Sequence, residues 1–457
     1  MKKSEMTLSQ AAERLNAGTV SSRELTEAAL AVMDDPQGEG ARVFTRIYRR
    51  QALQQAAASD ERRRAGTPLS ALDGAPVSIK DLFDVAGEST TGGSVVLADA
   101  PVAARHAAIV DRLLRAGAVI VGKTNMTEFA YSGLGINPHY GTPANPYDRT
   151  TRRIPGGSSS GGAVAVSDGM CLGSVGSDTG GSVRIPAALC GLTGYKPTAR
   201  RIDLAGVLPL SPALDSVGVI AHDVASCLAL DNIISDQPLT LARRTLAQAH
   251  FAVPQTLVLD DLDDDVAAAF SAALAHLRRA GARIDEIPCV EFSELACINA
   301  AGGFTALESW LWHRPLIEQN SAKYDPRVIS RIRRGEAFDE NDRRQLVLQR
   351  ADWQRRVAAV IGEYDALLMP TVPLIAPHID TLEADENVYF RVNGAVLRNP
   401  AVINFLDGCA VSLPCQPVDA APVGLMVASL SMRDGALLNW ALQIERCLSA
   451  ARFPAEK

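Results

Sequence analysis

The sequence predicts an α/β protein in which a β-sheet is covered by helices on both faces. From about residue 70 the chain consists of short apolar runs separated by glycine-rich turns, and apolar runs of strand length return at 365–372 and 409–414. In addition, residues 109–121 combine a helical apolar face, a glycine stop and a buried strand. Strands that alternate with helices favour a sheet buried on both faces.

The start of the chain carries two helix signals. Thr7 with Gln10 and Ser21 with Glu24 form two capping boxes, each followed by apolar residues at helical spacing. Residues 8–34 are therefore predicted to be two helices, packed on the outside of the core.

The middle of the chain, residues 220–360, is predicted to be mostly helical, with the core resuming after it. Its segment DLDDDVAAAFSAALAHLRRAG has acids at a helix start and arginines at the end, as the helix dipole favours. The acidic cluster at 260–265 lacks the glycine of a calcium loop, so a solvated helix start is the favoured interpretation.

Composition limits the function classes. The chain has 457 residues, 47% hydrophobic and 21% charged, so it can bury a large core without disulfides or metals. The net charge of -7 argues against a nucleic-acid surface, and no run of about 18 apolar residues suggests a membrane span. No export signal follows the first residues, and cysteines and histidines are scattered. We expect a cytoplasmic protein with a small-molecule partner and without cofactor or metal.

Lysine is rare in this chain, because only seven of the 45 basic residues are lysines. The terminal ones are Lys2, Lys3 and Lys457, and the interior ones are Lys80, Lys123, Lys196 and Lys323. A desolvated lysine can become neutral and act as a base, which arginine cannot do. Lys80 is the best candidate, since a strand-like apolar run precedes it and a polar turn follows in APVSIKDLFDV. A plain surface lysine is the alternative.

Residues 156–182, GGSSSGGAVAVSDGMCLGSVGSDTGGS, contain two glycine–serine loops separated by a small-residue run that predicts a tightly packed helix. In the second loop, the backbone N–H groups of Thr179, Gly180, Gly181 and Ser182 can converge on one point, as a developing oxyanion requires. Neither loop contains a histidine, so a lysine with a bridging serine is the economical base for Ser182. A flexible linker would explain either loop alone but explains both together poorly.

Two other glycine-loop motifs fit the sequence less well. The loops lack GxxxxGK[ST], and GLGINP at 133–138 lacks the third glycine of a dinucleotide fingerprint. Residues 157–161 match the nucleophile elbow GxSxG with Ser159 at the centre, but no β-branched strand leads into them. Both interpretations are disfavoured.

Three segments, PVSIKD, RIPGGSSSGGAVAV and GSDTGGSVRIPAALCGLTGYKPT, resemble the amidase signature family in order, spacing and content. A weaker resemblance extends from about residue 5 to 450 and includes VGKTNMTEF, YGTPANP, DALLMPT and PVGLMVA, whereas residues 235–360 carry little of it. The resemblance implies a mixed β-sheet covered by helices on both faces, in a single large domain with a helical middle section.

The resemblance also implies roles for the site residues. Lys80 matches the base, Ser158 a proton-relaying serine after a cis peptide bond, and Ser182 the nucleophile. The oxyanion hole falls on the backbone of residues 179–182. Three further residues match motif positions close to this triad, and the last of them is expected to brace the loop by hydrogen bonds: Ser159, Asp178 and Arg184.

Two positions depart from the family's pattern. Ser160 stands where many members have glycine, which leaves the serine spacing intact. Met426 stands where many have glutamine, which bears more on pocket lining than on chemistry. The pocket walls are expected to come from loops and from residues 235–360. The candidate apolar lining residues are Tyr131, Trp310, Trp312 and Phe390, although packing in the core or at the surface is the favoured interpretation of each.

The predicted reaction is hydrolysis of a small-molecule carboxamide to an acid and ammonia or an amine, through an acyl-enzyme. Three alternatives stay open: the glutaminase subunit of a tRNA-dependent amidotransferase, which needs a partner protein; a hydrolase of urea-like compounds such as biuret derivatives; and a non-catalytic binding protein. The segment AYSGLGINPHYG differs from its counterpart in the amidotransferase subunits, which disfavours the first. The resemblance to this family suggests a homodimer.

The resemblance suggests one amidase signature domain over residues 1–457. Its expected parts are N-terminal helices at 5–60, a catalytic core at 70–220, a variable helical section at 235–360, and returning core strands with a C-terminal helix at 361–457.

Overall fold

A computed structural model of the chain describes residues 6–242 and 244–452. Eleven strands of this described part form one sheet. In chain order they are β1 (Phe44–Ile47), β2 (Pro76–Lys80), β3 (Val119–Thr124), β4 (Gly173–Ser177), β5 (Thr193–Lys196), β6 (Val217–Ala221), β7 (His250–Pro254), β8 (Arg283–Ile287), β9 (Ala366–Pro370), β10 (Cys409–Pro414) and β11 (Gly424–Ser429). Their spatial order is β1-β3-β2-β4-β6-β5-β10-β11-β9-β7-β8.

The same residues form sixteen α-helices. They are α1 (Leu8–Asn16), α2 (Ser22–Met33), α3 (Gly40–Val43), α4 (Arg49–Arg64), α5 (Ala108–Arg115), α6 (Ser160–Ser167), α7 (Arg184–Leu189), α8 (Val224–Ile234), α9 (Asp264–Arg279), α10 (Glu294–Ile298), α11 (Gly303–Asn320), α12 (Pro326–Arg333), α13 (Glu340–Ile361), α14 (Ile379–Ala384), α15 (Glu386–Phe405) and α16 (Asp434–Arg452). None of the described helices is long and apolar enough to cross a membrane.

The sheet is mixed, as predicted. Strand β2 runs parallel to β3 and β4, and β7 runs parallel to β8 and β9. The remaining neighbours, including β4 with β6 and β10 with β11, are antiparallel. Because β2 and β4 are parallel neighbours, their carboxyl ends lie side by side at one edge of the sheet.

Both faces of the sheet are covered by helices, which confirms the predicted fold class. Along β11, Leu425 and Val427 join the core that contains α16, whereas Met426 and Ala428 join the core that contains α15, because successive strand residues point to opposite faces. Helices α5, α8, α9 and α16 cover the first face, and α6, α7, α13 and α15 cover the second.

Most of the predicted elements are confirmed. Both capping boxes are present, at the N-termini of α1 and α2. Helix α5 and strand β3 follow one another as predicted, with Gly117 between them at a φ of 79°. The acids at 264–265 and the arginines at 278–279 lie in the first and last turns of α9. The terminal lysines Lys2, Lys3 and Lys457 lie outside the described residues.

The middle section differs from its prediction in one respect. It is mostly helical, but it also contributes β7 and β8, so the sheet extends into this section rather than resuming after residue 360. Strand β7 has only five residues, too few for apolar periodicity to separate a strand from a buried helix. Strand β8, with the sequence RIDEI, is an edge strand whose residues are half-buried or exposed, so it has no apolar run to reveal it.

Candidate active site

The carboxyl ends of β2 and β4 bring a lysine and a serine together. Lys80 is the last residue of β2, and Ser177 is the last residue of β4. The Nζ atom of Lys80 donates hydrogen bonds to Ser158 Oγ at 2.7 Å and to Ser177 Oγ at 2.9 Å. The Lys80 side chain is fully buried, so both serines contact an amine that is shielded from water.

The electrostatic environment of Lys80 favours its neutral form. Burial lowers the pKa of Lys80 to about 7, against the opposing negative charges of Asp178 and Asp215. Among the described ion pairs none includes Lys80, whereas the buried Lys123 lies 3.1 Å from Asp81. Lys80 can therefore hold or release a proton near neutral pH, which an ordinary surface lysine cannot do.

Ser158 is fixed by the segment that leads into α6. The Gly157–Ser158 peptide bond is cis, as the family resemblance implies. The Ser158 carbonyl accepts a hydrogen bond from Thr127 N at 3.1 Å, and Ser159 N donates to Ser182 O at 3.1 Å. The second of these bonds ties the two glycine–serine loops together. Helix α6 packs tightly behind them, since a Cβ at Gly162 would lie 2.5 Å from Ser174 Oγ.

Asp178 organises the loop that carries Ser182. Its carboxylate accepts hydrogen bonds from Gly181 N at 2.8 Å and from Val183 N at 3.2 Å. Gly181 has a φ of 126°, and a Cβ there would lie 2.6 Å from Pro400 Cβ, so only glycine fits this turn.

Arg184 holds Asp178 in turn. Its Nε and one terminal nitrogen donate to the two carboxylate oxygens at 2.9 and 2.8 Å, and Asn404 Nδ2 donates to Oδ1 at 2.9 Å. Burial alone would raise the pKa of Asp178, but the Arg184 guanidinium holds this pKa well below its ordinary value. The carboxylate therefore stays charged and keeps its backbone hydrogen bonds.

Three amides of the Ser182 loop remain available to a ligand. Gly181 N is engaged by Asp178, whereas the backbone N–H groups of Thr179, Gly180 and Ser182 donate no hydrogen bond to any described residue. The Thr179 hydroxyl donates to Asp215 Oδ1 at 2.5 Å, which fixes the start of the loop.

Ser182 lies on the wall of a cavity of about 420 Å³, together with Thr179 and Gly180. Its hydroxyl makes no hydrogen bond to Ser158 Oγ or to another described residue. Catalytic hydrogen bonds are often long in a free enzyme and shorten when substrate binds. The cavity wall is mainly apolar, and its large apolar side chains are Tyr131, Leu210, Leu214, Leu257, Leu295, Leu397 and Phe405.

Comparison with known proteins assigns this arrangement to a family. The sequence profile described as Amidase matches residues 25–438 of the chain. The chain belongs to the Amidase family. The protein is therefore an enzyme that cleaves amide C–N bonds.

Two curated relatives and one solved structure illustrate the likeness. The amidase is 35% identical over 437 residues to 2-amino-5-chloromuconic acid deaminase from Comamonas testosteroni, with 93% of each chain covered. It is 32% identical over 477 residues to a glutamyl-tRNA(Gln) amidotransferase subunit from Chloroflexus aggregans, with 95% of this chain and 94% of that one covered. A crystal structure of an amidase, 31% identical, superposes with a TM-score of 0.86 over 97% of this chain and 100% of that chain.

The structure brings the predicted site residues of this amidase together. Lys80 and Ser158 are hydrogen bonded, Ser182 lies on the adjoining cavity wall, and Asp178 with Arg184 braces the loop between them. Ser159 is buried behind the wall, where its hydroxyl lies 3.5 Å from Ser177 O. It does not line the cavity with Ser182, which argues further against the nucleophile elbow.

One of the four candidate lining residues lines the cavity, and the other three pack elsewhere, which was the favoured interpretation. Tyr131 lines the cavity, and the middle section contributes several wall residues, as expected. Trp310 and Trp312 instead pack against the core of the first sheet face, and Phe390 packs against the cluster around α14 and α15. Met426 does not line the cavity, because it is buried with its sulfur 3.2 Å from an Arg184 nitrogen. The expectation that this position bears on the pocket lining was therefore wrong.

Three residues of the site were not predicted from the sequence: Ser177, Asp215 and Asn404. Ser177 carried a signal, because it ends the strand that leads into the Ser182 loop. Asp215 and Asn404 carried none, since each contacts the loop only through tertiary packing from a distant part of the chain.

Proposed function

We propose that this amidase hydrolyses small-molecule carboxamides through a covalent acyl-enzyme on Ser182, with Ser158 as the proton relay and Lys80 as the base. The observation that carries the proposal is the buried Lys80 amine, with its pKa near 7 and its Nζ 2.7 Å from Ser158 Oγ. Serine is a weak nucleophile unless an adjacent base removes its proton. In the proposed mechanism the base is the neutral Lys80 amine, and Ser158 passes protons between this amine and Ser182.

Acylation begins with two coupled proton transfers. Neutral Lys80 takes a proton from Ser158, and Ser158 takes one from Ser182 as Ser182 Oγ attacks the amide carbon. The carbonyl π pair moves to oxygen and gives a tetrahedral oxyanion. When this intermediate collapses, the C–N bond breaks and the proton held on Lys80 returns through Ser158 to the leaving nitrogen. Ammonia or an amine departs, and the acyl group remains on Ser182.

The oxyanion is stabilised by the free amides of the Ser182 loop. The N–H groups of Thr179, Gly180 and Ser182 donate no hydrogen bond to a described residue, whereas Gly181 N donates to the Asp178 carboxylate. The expected oxyanion hole used the backbone of four residues. In the proposed one, three residues donate hydrogen bonds to the substrate, and Gly181 only shapes the turn. Preorganised donors of this kind contribute about 10²–10³ in kcat each.

Deacylation uses the same groups in the same order. A water molecule takes the place of the departed amine, and Ser158 removes its proton while Lys80 accepts the proton of Ser158. Hydroxide adds to the acyl carbon, the bond to Ser182 Oγ breaks, and the relay returns a proton to Ser182. The products are a carboxylic acid and the starting enzyme.

A glutaminase subunit of a tRNA-dependent amidotransferase is a second candidate, because a relative named as an amidotransferase subunit covers 95% of this chain. This function would require glutamine as substrate and a partner protein to receive the ammonia. The relative named as a deaminase of 2-amino-5-chloromuconic acid covers a similar share of the chain at slightly higher identity, and its name includes no partner. We therefore favour a free-standing enzyme.

The purified chain alone is expected to release ammonia from simple carboxamides. The panel contains aliphatic and aryl amides, biuret as a ureido compound, 2-aminomuconate, and glutamine, with ammonia measured by a coupled dehydrogenase assay. Release from an aliphatic or aryl amide supports the proposal. Release from glutamine alone, or only after addition of amidotransferase partner proteins, would replace it with the glutaminase function.

A further inference from the structure

The charged groups on the wall of the cavity beside Ser182 are all positive. The wall contains two arginines, Arg331 from α12 and Arg398 from α15, and no acidic residue among the described residues that line it. Apart from these two guanidinium groups the wall is uncharged. A ligand that fills this cavity therefore meets positive charge within mostly apolar surroundings.

Arg331 is held in place without a carboxylate partner. One terminal nitrogen donates to the carbonyl of Tyr131, and the guanidinium carbon lies 4.4 Å from the centre of the Tyr131 ring. No ion pair of the described residues includes Arg331. A guanidinium has five N–H donors, and one donor is used here, so the others remain for a ligand.

Arg398 is likewise positioned by neutral groups. Its Nε donates to Asn399 Oδ1 at 3.1 Å, and a terminal nitrogen donates to the backbone carbonyl of Asp260 at 2.5 Å. Burial lowers the pKa of Arg398, and the carboxylates of Asp260 and Asp261 oppose this effect from the exposed side. Neither carboxylate forms an ion pair with Arg398 in the described part of the chain, so donors remain free here too.

Several other buried or half-buried arginines of the described chain pair with an acid. The pairs are Arg62 with Asp73, Arg184 with Asp178, Arg201 with Asp231, and Arg327 with Asp325. Arg63, Arg152 and Arg350 form no ion pair among the described residues, but they lie away from the cavity wall and donate to uncharged oxygens. Arg350 donates to three backbone carbonyls, those of Phe405, Ala213 and Asn404. Arg331 and Arg398 stand apart, because they face the reaction cavity with unused donors.

We infer that Arg331 and Arg398 bind a carboxylate on the acyl part of the substrate, so that the preferred substrates are monoamides of dicarboxylic acids. The inference rests on the proposed function of Ser182. Guanidinium groups match carboxylates in geometry and form charge-assisted hydrogen bonds, which are stronger than neutral ones. The acyl part remains in the site from substrate binding until the acid is released, so these contacts hold it throughout the reaction.

The test compares anionic and neutral amides of equal chain length. The pairs are succinamate with butanamide, glutaramate with pentanamide, and adipamate with hexanamide, each measured as kcat/KM. We expect at least one monoamide to exceed its neutral partner by about tenfold or more, as a charge-assisted hydrogen bond implies. Arg331→Gln and Arg398→Gln should each lower this ratio by about tenfold, mainly through KM and with little change for the neutral amide.

Matched controls separate recognition from folding. Arg333→Gln and Arg391→Gln remove exposed arginines from the same two helices and should leave the ratio unchanged. Arg331 also supports Tyr131, so an equal loss of kcat/KM for both amides of a pair in Arg331→Gln would indicate a structural role and overturn the inference for that residue. A preference for neutral amides in the wild type would overturn it entirely.

A binding measurement keeps the inference testable if no amide of the pairs is turned over. Isothermal titration of Ser182→Ala protein with the three pairs should show tighter binding of the anion in at least one pair, by about tenfold or more. Adding Arg331→Gln or Arg398→Gln to this variant should remove the difference. Equal binding of the anion and the neutral amide in all three pairs would contradict carboxylate recognition, whereas anion-selective binding without turnover would count against the proposed hydrolysis alone.

Discussion

Ser182→Ala should reduce ammonia release to background, a loss on the order of 10⁴-fold or more in kcat, as removal of a serine nucleophile does in other hydrolases. The alanine keeps the loop intact, since Asp178 holds the backbone through Gly181 N and Val183 N and does not contact the Ser182 hydroxyl. The variant should therefore fold normally and still bind amides. The measurement is ammonia release in single and multiple turnover, with circular dichroism to confirm the fold.

Ser160→Ala is the matched control for this experiment. Ser160 belongs to the other glycine–serine loop, and its buried hydroxyl has no hydrogen-bond partner among the described residues. Its removal should leave kcat within about threefold of the wild type, because it deletes no contact of the site. If Ser182→Ala kept substantial activity while Ser159→Ala lost it, the nucleophile would be the serine of the GxSxG motif instead.

Lys80→Arg should lower kcat/KM by about 10³-fold, within the 10²–10⁴ range typical of a lost general base. The guanidinium stays protonated at any usable pH, so it cannot accept a proton from Ser158. Arginine keeps a positive charge and a similar side-chain length at this position. A loss of activity would therefore reflect the missing base and not a missing cation. Lys80→Ala should cause a similar loss.

Lys323→Arg provides the control for the lysine substitution. Lys323 is an interior lysine of the sequence, but the structure places it on the surface, where either cation is solvated. Full activity is expected in this variant. Full activity in Lys80→Arg as well would show that Lys80 is not the base, since an arginine cannot accept a proton from Ser158.

Much of the fold and of the site could be predicted from local signals. The capping boxes specify α1 and α2, because a cap is a contact between residues three apart in sequence. The position of Lys80 at the end of β2 followed from an apolar run that stops at a polar turn. Of the four interior lysines, Lys80, Lys123 and Lys196 are buried, so the rarity of lysine was a useful guide to burial.

Features that depend on distant contacts could not be predicted in the same way. Asn404 donates to Asp178 across 226 positions of sequence, and Met426 contacts Arg184 across 242. Strand β8 was missed because its sequence, RIDEI, has no apolar run, and only its pairing with β7 places it in the sheet. The two cavity arginines also lie outside the segments that carry the family resemblance, which is where a substrate preference particular to this chain would be encoded.

The pH dependence of kcat/KM for one simple amide tests the central claim most directly. Neutral Lys80 is required, so kcat/KM should rise with pH through an apparent pKa of about 7 and then level off. The sign follows from the base role: below this pKa the amine is protonated, and activity falls about tenfold for each pH unit. An acid limb near the ordinary carboxyl pKa of about 4, or none at all, would contradict a lysine base and favour a carboxylate or another activating group.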